Sequence, residues 1–511
     1  MSIQLQEYTT SHGEIILYNG TPNFEKLEIE ANGYGDIWHS SFEQGYKNAF
    51  PEIVYQTITF YITDFDDLDR CVSWRINPNQ FAVRKSVWNA LNGFDKVLTD
   101  KQIQAFDFGY RAMHIGAIPL YSKGLFDSRE KESVVISPKD RYAFFIKKFK
   151  IDHALFMLFR MGFWRIREWN ALFYAIKKVK SKEDLPVLEP RKLDPIKGDP
   201  TVSYIIPTMM RQEYTLQLLC DLSNQTHKPS QVIIVDATPK KDRNESLYSN
   251  LEYPFEVVVR WQETKGSCKA RNEAIELCSG DYIVFGDDDI RVPIDFIENH
   301  IRFIQTYNID ACNGFDVRAD NENQTLDDLQ FKLSNWGKYR YLTGVAQIFN
   351  NANNCVKREF VTQLIGNDIN YDGGYGEDND FGLSLIKIGC AVMQNPFSAN
   401  LHLKPAVGGY RFWGKQATIL GKKRKTQPWE LDTPVKWIRP VPSPTVVYFN
   451  LKHYRPQVLS EYRSKYFMYY LMKGSMWAFP LRVLQLPYRQ LQFSKAVFYA
   501  RKLIKLGKRT K

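Results

Sequence analysis

The stretch DYIVFGDDDI, residues 281–290, decides how this chain is read. Its first half is a short apolar run of the kind that forms a strand buried on both faces. Its second half sets three carboxylates, Asp287, Asp288 and Asp289, side by side where that strand ends. Like charges at the end of a buried strand repel one another, and a divalent cation with a taste for hard oxygen ligands, Mg2+ or Mn2+, relieves the repulsion. The plain alternative is an acidic turn relieved by hydration alone.

Upstream, the same kind of strand recurs. TVSYIIPT (201–208) and QVIIVDAT (231–238) are short β-rich runs, LQLLCDLSNQ (216–225) between them has helical spacing, and ARNEAIELCSG (270–280) is a helix leading into the acidic strand. Strands alternating with helices predict a doubly wound α/β sheet, in which ligands collect beyond the carboxyl ends of the strands. Pro207 and Thr208, with Arg211 just beyond, stand at one such end, and Asp236 at the next. Asp236 reads as an acceptor for a base or ribose, or as a solvated turn aspartate. In KGSCKARNEAIELCSG (265–280), Gly266 permits close backbone approach, and Arg271 offers a planar, always charged fork suited to a uridine or phosphate. The alternative for Arg271 is a surface ion pair.

Downstream, GGYGEDNDFGLSLIKIG (373–389) is a glycine loop around Tyr375 followed by Glu377 and Asp378, which open a helix with apolar positions Phe381, Leu385 and Ile388. Carboxylates in a first helical turn are favourable dipole partners. In a cleft, one of them is also placed to take a proton from a hydroxyl. Beyond the helix, NPFSANLHLKP (395–405) carries His402, read as a metal ligand through an imidazole nitrogen or as a structural histidine.

Together these segments, over about 202–403, resemble the inverting glycosyltransferase family 2 and its GT-A relatives. GGYGEDNDF is also similar to the WGGEDDD-type motif of β-1,4-galactosyltransferases and bacterial chondroitin-type polymerases, with Tyr375 where relatives often carry Trp. The resemblance implies a GT-A catalytic domain with a Rossmann-like, doubly wound mixed sheet. Pro207, Thr208, Arg211, Asp236, Gly266 and Arg271 would serve the nucleotide together with Asp287 and Asp288, and Asp289 and His402 would hold Mn2+ or Mg2+. Glu377 would hold the sugar or acceptor, and Asp378 would be the catalytic base. The implied reaction moves a sugar, with inversion, from a nucleotide-sugar, UDP-linked by this reading, to a hydroxyl of a glycan or lipid-linked oligosaccharide in bacterial surface-polysaccharide assembly. The rival readings are a non-catalytic carbohydrate-binding or scaffold protein, and a sugar-phosphate nucleotidyltransferase. The latter wants a glycine-rich basic signature after the first strand, where this chain has PTMMRQEY.

An internal repeat is visible when the chain is slid on itself by 273 positions, which superposes 81–121 on 354–394 without a gap. Identities include Val83/Val356, Gly93/Gly366, Asp107/Asp380, Phe108/Phe381, Gly109/Gly382 and Gly116/Gly389. Gln104 and Ala105 occupy the positions of Glu377 and Asp378, so the N-terminal copy is expected to be a degenerate GT-A-like α/β region kept for folding, acceptor binding or dimerisation.

A chain of 511 residues has room for two or three domains. The expected division is 1–180, a proline-rich linker at 181–200, a catalytic domain at 201–427, and a proline-rich segment with a basic, aromatic helical region at 428–511. Residues 451–511 carry a net charge of +13, which leaves the first 450 at about −2. That asymmetry disfavours a nucleic-acid binder and favours a near-neutral body with a cationic appendage. Lys495, Lys502, Lys505 and Arg509 share one quadrant of a helix with Val497, Ala500 and Ile504 opposite, which suits peripheral contact with an anionic membrane or an ordinary packing helix. The stretch 152–180 likewise interleaves aromatics with Arg and Lys. Seven singly placed cysteines suggest neither a disulfide framework nor a zinc knuckle, and the chain's start lacks a signal-peptide pattern. The expected location is cytoplasmic, with the inner face of the plasma membrane as a peripheral site and a homo-oligomer as a compatible assembly.

Overall fold

The computed structural model describes residues 4–41, 65, 67–127, 136–179, 184–249, 252–406, 408–410 and 426–511. It divides into two compact units. The first comprises Met1–Glu189, Leu342–Val345 and Tyr454–Leu486, and the second Pro190–Tyr341, Ala346–His453 and Pro487–Lys511. The border at 189/190 falls inside the expected linker, of which 181–183 lie outside the described residues. The C-terminal stretch does not stand apart as a region of its own, because its residues are shared between the two units.

The first unit holds β1 (Gln6–Thr9), β2 (Ile15–Asn19), α1 (Phe24–Ala31), β3 (Ile37–His39), β4 (Arg70–Val72), β5 (Phe81–Arg84), α2 (Lys85–Ala90), α3 (Lys101–Ile115), β6 (Pro119–Ser122), α4 (Pro138–Lys148), α5 (Ile151–Met161) and α6 (Ile166–Lys178). Its strands run in the order β1-β2-β5-β3-β6-β4.

The second unit holds β7 (Val202–Thr208), α7 (Gln212–Ser223), β8 (Gln231–Asp236), β9 (Glu256–Trp261), α8 (Ser267–Ile275), β10 (Tyr282–Gly286), β11 (Ile290–Arg291), α9 (Phe296–Tyr307), β12 (Ala311–Arg318) and α10 (Leu326–Ser334). After the short β13 (Gly344–Val345) of the first unit, it resumes with β14 (Asn353–Lys357), α11 (Arg358–Leu364), α12 (Glu377–Lys387), β15 (Val392–His402) and α13 (Pro444–His453). Its strands run in the order β11-β15-β12-β14-β10-β7-β8-β9. Strands β9, β8, β7 and β10 are parallel, β14 runs antiparallel to both β10 and β12, and β12 is parallel to β15. This is the mixed, doubly wound sheet expected from the sequence. Every residue of β7, β8 and β10 is buried, as near-continuous apolar runs covered on both faces should be, whereas edge strand β9 is half exposed.

The internal repeat is structural. The strand–helix–helix–strand series β5-α2-α3-β6 corresponds to β14-α11-α12-β15, and the registers agree residue for residue. Ile37 of β3 lies opposite Val83 and Pro119, while Ala311 of β12 lies opposite Val356 and Val392, each partner 273 positions on. Leu17 of β2 faces Val83 just as Ile283 of β10 faces Val356. The order β2-β5-β3-β6 therefore reproduces β10-β14-β12-β15. Beyond β2, among the described residues, the first unit has only the antiparallel partner β1, where the second has the parallel β7, β8 and β9. Gly20 takes the place of Gly286, followed by Thr21-Pro22-Asn23 in place of the three aspartates. Among the described residues the N-terminal copy keeps one half of the fold, without counterparts of β7, β8 and β9 and without acids at the positions of the triplet.

The identities that persist have packing reasons. A Cβ on Gly109 would sit 2.2 Å from the Trp74 carbonyl oxygen, and one on Gly382 2.5 Å from that of Gln347, so each helix presses its glycine onto neighbouring backbone. Asp107 is fully buried and anchors Arg111 Nε at 2.7 Å, Lys147 Nζ at 3.1 Å and Lys148 Nζ at 2.7 Å. Asp380 likewise anchors His453 Nε2 at 2.7 Å and Lys452 Nζ at 2.8 Å. Apart from Arg111 of α3, these partners come from the ends of α4 and α13, which both start at a Ser-Pro pair, Ser137-Pro138 and Ser443-Pro444. The repeat thus continues past the ungapped match, at a shift of 306.

Burial opposes ionisation of Asp107, but Lys148, Arg111 and Lys147 outweigh it and hold the carboxyl below its ordinary range. A depressed pKa means stability present above the unfolded-state value and lost as pH falls through the folded one. Asp107→Asn should cost about 3–5 kcal/mol at neutral pH by leaving buried cations uncompensated. It should also flatten the acid limb of the stability curve, both measurable by urea unfolding across pH.

The C-terminal stretch forms helices α14 (Pro456–Met472) and α15 (Phe479–Leu506). Phe493, Ala496, Tyr499, Ala500 and Leu503 are buried, Lys502 pairs with Asp432, and Lys508 Nζ donates to the carbonyl of Gly366 at 2.6 Å. Arg509 Nε donates to Asn370 Oδ1 at 2.7 Å. Of the three apolar positions expected opposite the basic quadrant, Ala500 is buried, Val497 is half-buried and Ile504 is exposed.

Candidate active site

The acid triplet leaves β10 where the parallel strands present their carboxyl ends. Strand β7 ends beside it, and Thr208 Oγ1 donates to Asp288 Oδ2 at 2.8 Å. Arg211 Nη1 bridges Asp288 Oδ1 at 3.1 Å and Asp289 Oδ2 at 2.7 Å, and Arg271 Nη2 donates to Asp287 Oδ1 at 2.7 Å. Arg271 is buried, so its ion pair lies inside the site and not on the surface. Asp288 and Asp289 are also buried. Burial and then the neighbouring Asp289 push the Asp288 carboxyl up to about 7.

The other half of the sheet brings the remaining groups by pairing. Because Ile290 of β11 lies opposite His402 at the end of β15, the imidazole meets the triplet, with Nε2 3.2 Å from Asp289 Oδ1. Its Nδ1 lies 2.9 Å from Asp316 Oδ1, which fixes the ring from behind. Burial opposes the imidazolium, but the hydrogen bonds it donates to Asp289 and Asp316 prevail and lift His402 to about 10. Antiparallel pairing sets Asn353 opposite Gly286, so the residues just before β14 lie over the acids. There Asn351 Nδ2 donates to Asp378 Oδ1 at 2.5 Å. Asp378 and Glu377 sit in the first turn of α12, after Gly376 in the left-handed conformation at φ 104°.

These groups line one cleft of about 480 Å3. Of the twelve residues expected from the sequence, Pro207, Arg211, Arg271, Asp287, Asp288, Asp289, Glu377, Asp378 and His402 line it, and three do not. Thr208 supports Asp288 from beneath. Asp236 is buried, its oxygens accepting from the Thr238 N–H at 2.8 Å and the Tyr248 hydroxyl at 3.0 Å. Gly266 serves a different neighbour from the one expected. A Cβ there would lie 2.3 Å from Asp372 Oδ2, and that carboxylate accepts from the Cys268 N–H at 2.7 Å at the start of α8.

Sequence reasoning missed Asn351, Asp316 and the Gly408-Gly409 pair. A Cβ on Gly409 would strike the Arg211 guanidinium at 2.9 Å. The doubled glycine and the NNANN run at 350–354 are the signals that could have marked them.

Asp287, Asp289 and His402 each offer a ligand atom within 4.8 Å of the others. Two carboxylates and an imidazole at a cleft already crowded with negative charge form a donor set that suits Mn2+ or Mg2+.

Residues 203–361 match the family described as Glycosyl transferase family 2. An uncharacterized glycosyltransferase of Rickettsia bellii is 28% identical over 131 residues, 26% of this chain and 19% of that protein. The Bacillus subtilis protein named putative teichuronic acid biosynthesis glycosyltransferase TuaG is 29% identical over 107 residues, 20% of this chain and 42% of that one. The chain thus spans less than half the length of these relatives. Among solved structures, S. aureus TarS is similar at 16% identity and a TM-score of 0.36, covering 58% of this chain and 81% of that one. The family match runs from β7 into α11 and, apart from residues 342–345, lies in the second unit, whose fold is α/β of the GT-A kind.

Proposed function

We propose that this chain is a metal-dependent, inverting glycosyltransferase that moves a sugar from a nucleotide-sugar, UDP-linked in our reading, to a hydroxyl of a saccharide acceptor. The observation that carries the proposal is the meeting, in one cleft, of a carboxylate held by Asn351 with an Asp–Asp–His donor set and two arginines.

Asp287, Asp289 and His402 would hold the cation, which supplies compensation for the charge of the departing diphosphate. Arg211 and Arg271 add fixed positive charge at the same end of the sheet, and Pro207 shapes the wall at the end of β7. Asp378 accepts the proton of the acceptor hydroxyl while the hydroxyl oxygen bonds to the anomeric carbon and the bond from that carbon to the diphosphate oxygen breaks. The Asn351 amide orients the carboxylate for that task. Glu377, beside it, faces the sugar or acceptor. With the base on one side and the leaving group on the other, displacement is in line and the anomeric centre inverts.

The acceptor class follows the names of the bacterial relatives, a surface polysaccharide or its lipid-linked precursor, with the work done at the cytoplasmic face. Turnover with Mn2+ across a panel of UDP-, GDP- and dTDP-sugars tests the reading. UDP-linked donors should be consumed at least about tenfold faster than GDP- or dTDP-linked ones, since a site built to hydrogen-bond one base leaves buried polar groups unpaired with another. Release of UDP in no case, or preference for a GDP-sugar, would refute the donor assignment.

A further inference from the structure

The first unit exposes apolar side chains where a folded domain normally hides them. Helix α5 ends at Gly162, with φ 107°, and the turn that follows presents Phe163 and Trp164, the latter 71% exposed. Helix α6 then buries Ala171, Leu172 and Ala175 but turns a second apolar stripe outward, Ile166, Trp169, Phe173 and Ile176, with Ile166 76% exposed. Spacings of three and four place these four on one helix face.

The corresponding hairpin after α14 does the same. Its helix gives way to Gly474, with φ 74°, and then Met476 and Trp477, the latter 96% exposed, followed by Leu481 and Leu484, 78% exposed. Each copy of the repeat therefore closes a helical hairpin with a left-handed glycine and a solvent-facing tryptophan.

The charge around both turns has one sign. Arg165, Arg167, Lys177 and Lys178 are exposed on the first hairpin. Its one acid in that span, Glu168, is turned inward to Arg141 Nη2 at 3.0 Å and the Tyr142 hydroxyl at 2.9 Å. Around the second turn stand Lys473 and Arg482, and the sequence from Tyr462 to Lys511 contains no Asp or Glu. Exposed tryptophans flanked by unopposed Lys and Arg are the composition of a surface that settles among lipid headgroups. A protein partner would be met by a broader, flatter patch with mixed charge at its rim.

We propose that these two hairpin turns form a docking surface for an anionic phospholipid bilayer. Helices α5 and α14 run antiparallel side by side, since Arg160 pairs with Glu461, His153 with Lys465, and Asp152 with Tyr469. One turn therefore lies at each end of the pair, and a bilayer that meets both lies along the helices rather than across an end. No helix among the described residues is long and apolar enough to cross a membrane, so the contact is interfacial. The proposal stands whether or not the second unit transfers sugars.

The test is flotation of the full-length protein with vesicles of phosphatidylcholine alone or mixed equally with phosphatidylglycerol. Binding should require phosphatidylglycerol, weaken as salt rises, and drop by about tenfold or more in the double variant Trp164→Ala/Trp477→Ala. Both side chains are exposed, so the variant should keep its circular dichroism and melting temperature. Lys508→Ala with Lys511→Ala should leave flotation unchanged. The proposal is overturned if the tryptophan variant floats as the parent does, if the lysine variant is the one that fails, or if the parent is a dimer in solution that the tryptophan substitutions dissociate.

Discussion

Asp378→Asn should lower turnover by about 10²–10⁴ while leaving UDP affinity close to that of the parent. The substitution is isosteric, and the new amide oxygen still accepts from Asn351, so the position of the side chain survives while its basicity is lost. The loss should appear in kcat and in kcat/KM alike, because a proton acceptor acts in the transition state and adds little to ground-state binding. Gln104→Ala is the matched control. That residue holds the place of Glu377 in the N-terminal copy, where its amide donates to the Leu98 carbonyl at 2.6 Å, and its loss should not touch the chemistry. Near-normal turnover in Asp378→Asn would remove the base from the mechanism.

Asp289→Ala should abolish the strengthening of UDP binding by Mn2+ and reduce turnover by roughly 10² or more, the equivalent of the several kcal/mol that a charge-stabilising cation supplies. Asp289 is the group at which the donor set converges, since His402 and Arg211 both reach it. Titration calorimetry with and without EDTA reads the first effect directly. Equal UDP affinity of the parent protein in EDTA and in Mn2+ would sink the assignment of Asp287, Asp289 and His402 as a metal site.

Much of this site was legible in the linear sequence because its chemistry is clustered there. Asp287 and Asp289 are neighbours, Glu377 and Asp378 open one helix, and the strands that carry them are apolar enough to announce themselves. What escaped was whatever depends on pairing between distant strands. Asn351 reaches Asp378 because β14 runs antiparallel to β10, and nothing local to NNANN says so. Gly266 showed that close approach was needed but not that the visitor is Asp372, more than a hundred residues away. Asp236 has the expected place at a strand end, yet its two oxygens are taken by Thr238 and Tyr248. Periodicity in the last helix set Val497, Ala500 and Ile504 on one face, but period alone does not say which of them pack, and Ala500 is buried where Ile504 is exposed.

The repeat was legible for a similar reason. Glycines and aspartates that meet backbone or buried cations tolerate no replacement, so Gly109 and Gly382, like Asp107 and Asp380, stayed in register while the surface between them diverged. The shift of 273 ended at β6 and β15 because added residues displace the Ser-Pro helix that follows, which a gapless comparison does not see.

The bridge that Arg211 makes between Asp288 and Asp289 has a bearing on how the protein lives between turnovers. Three adjoining acids at the end of a buried strand would strain the fold if nothing balanced them, yet here the guanidinium groups of Arg211 and Arg271 are already in place. The chain carries its own counter-ion. On the function proposed above, folding would ask nothing of the cell's supply of divalent metal, and the cation would be an exchangeable accessory that arrives with the donor and departs with the product.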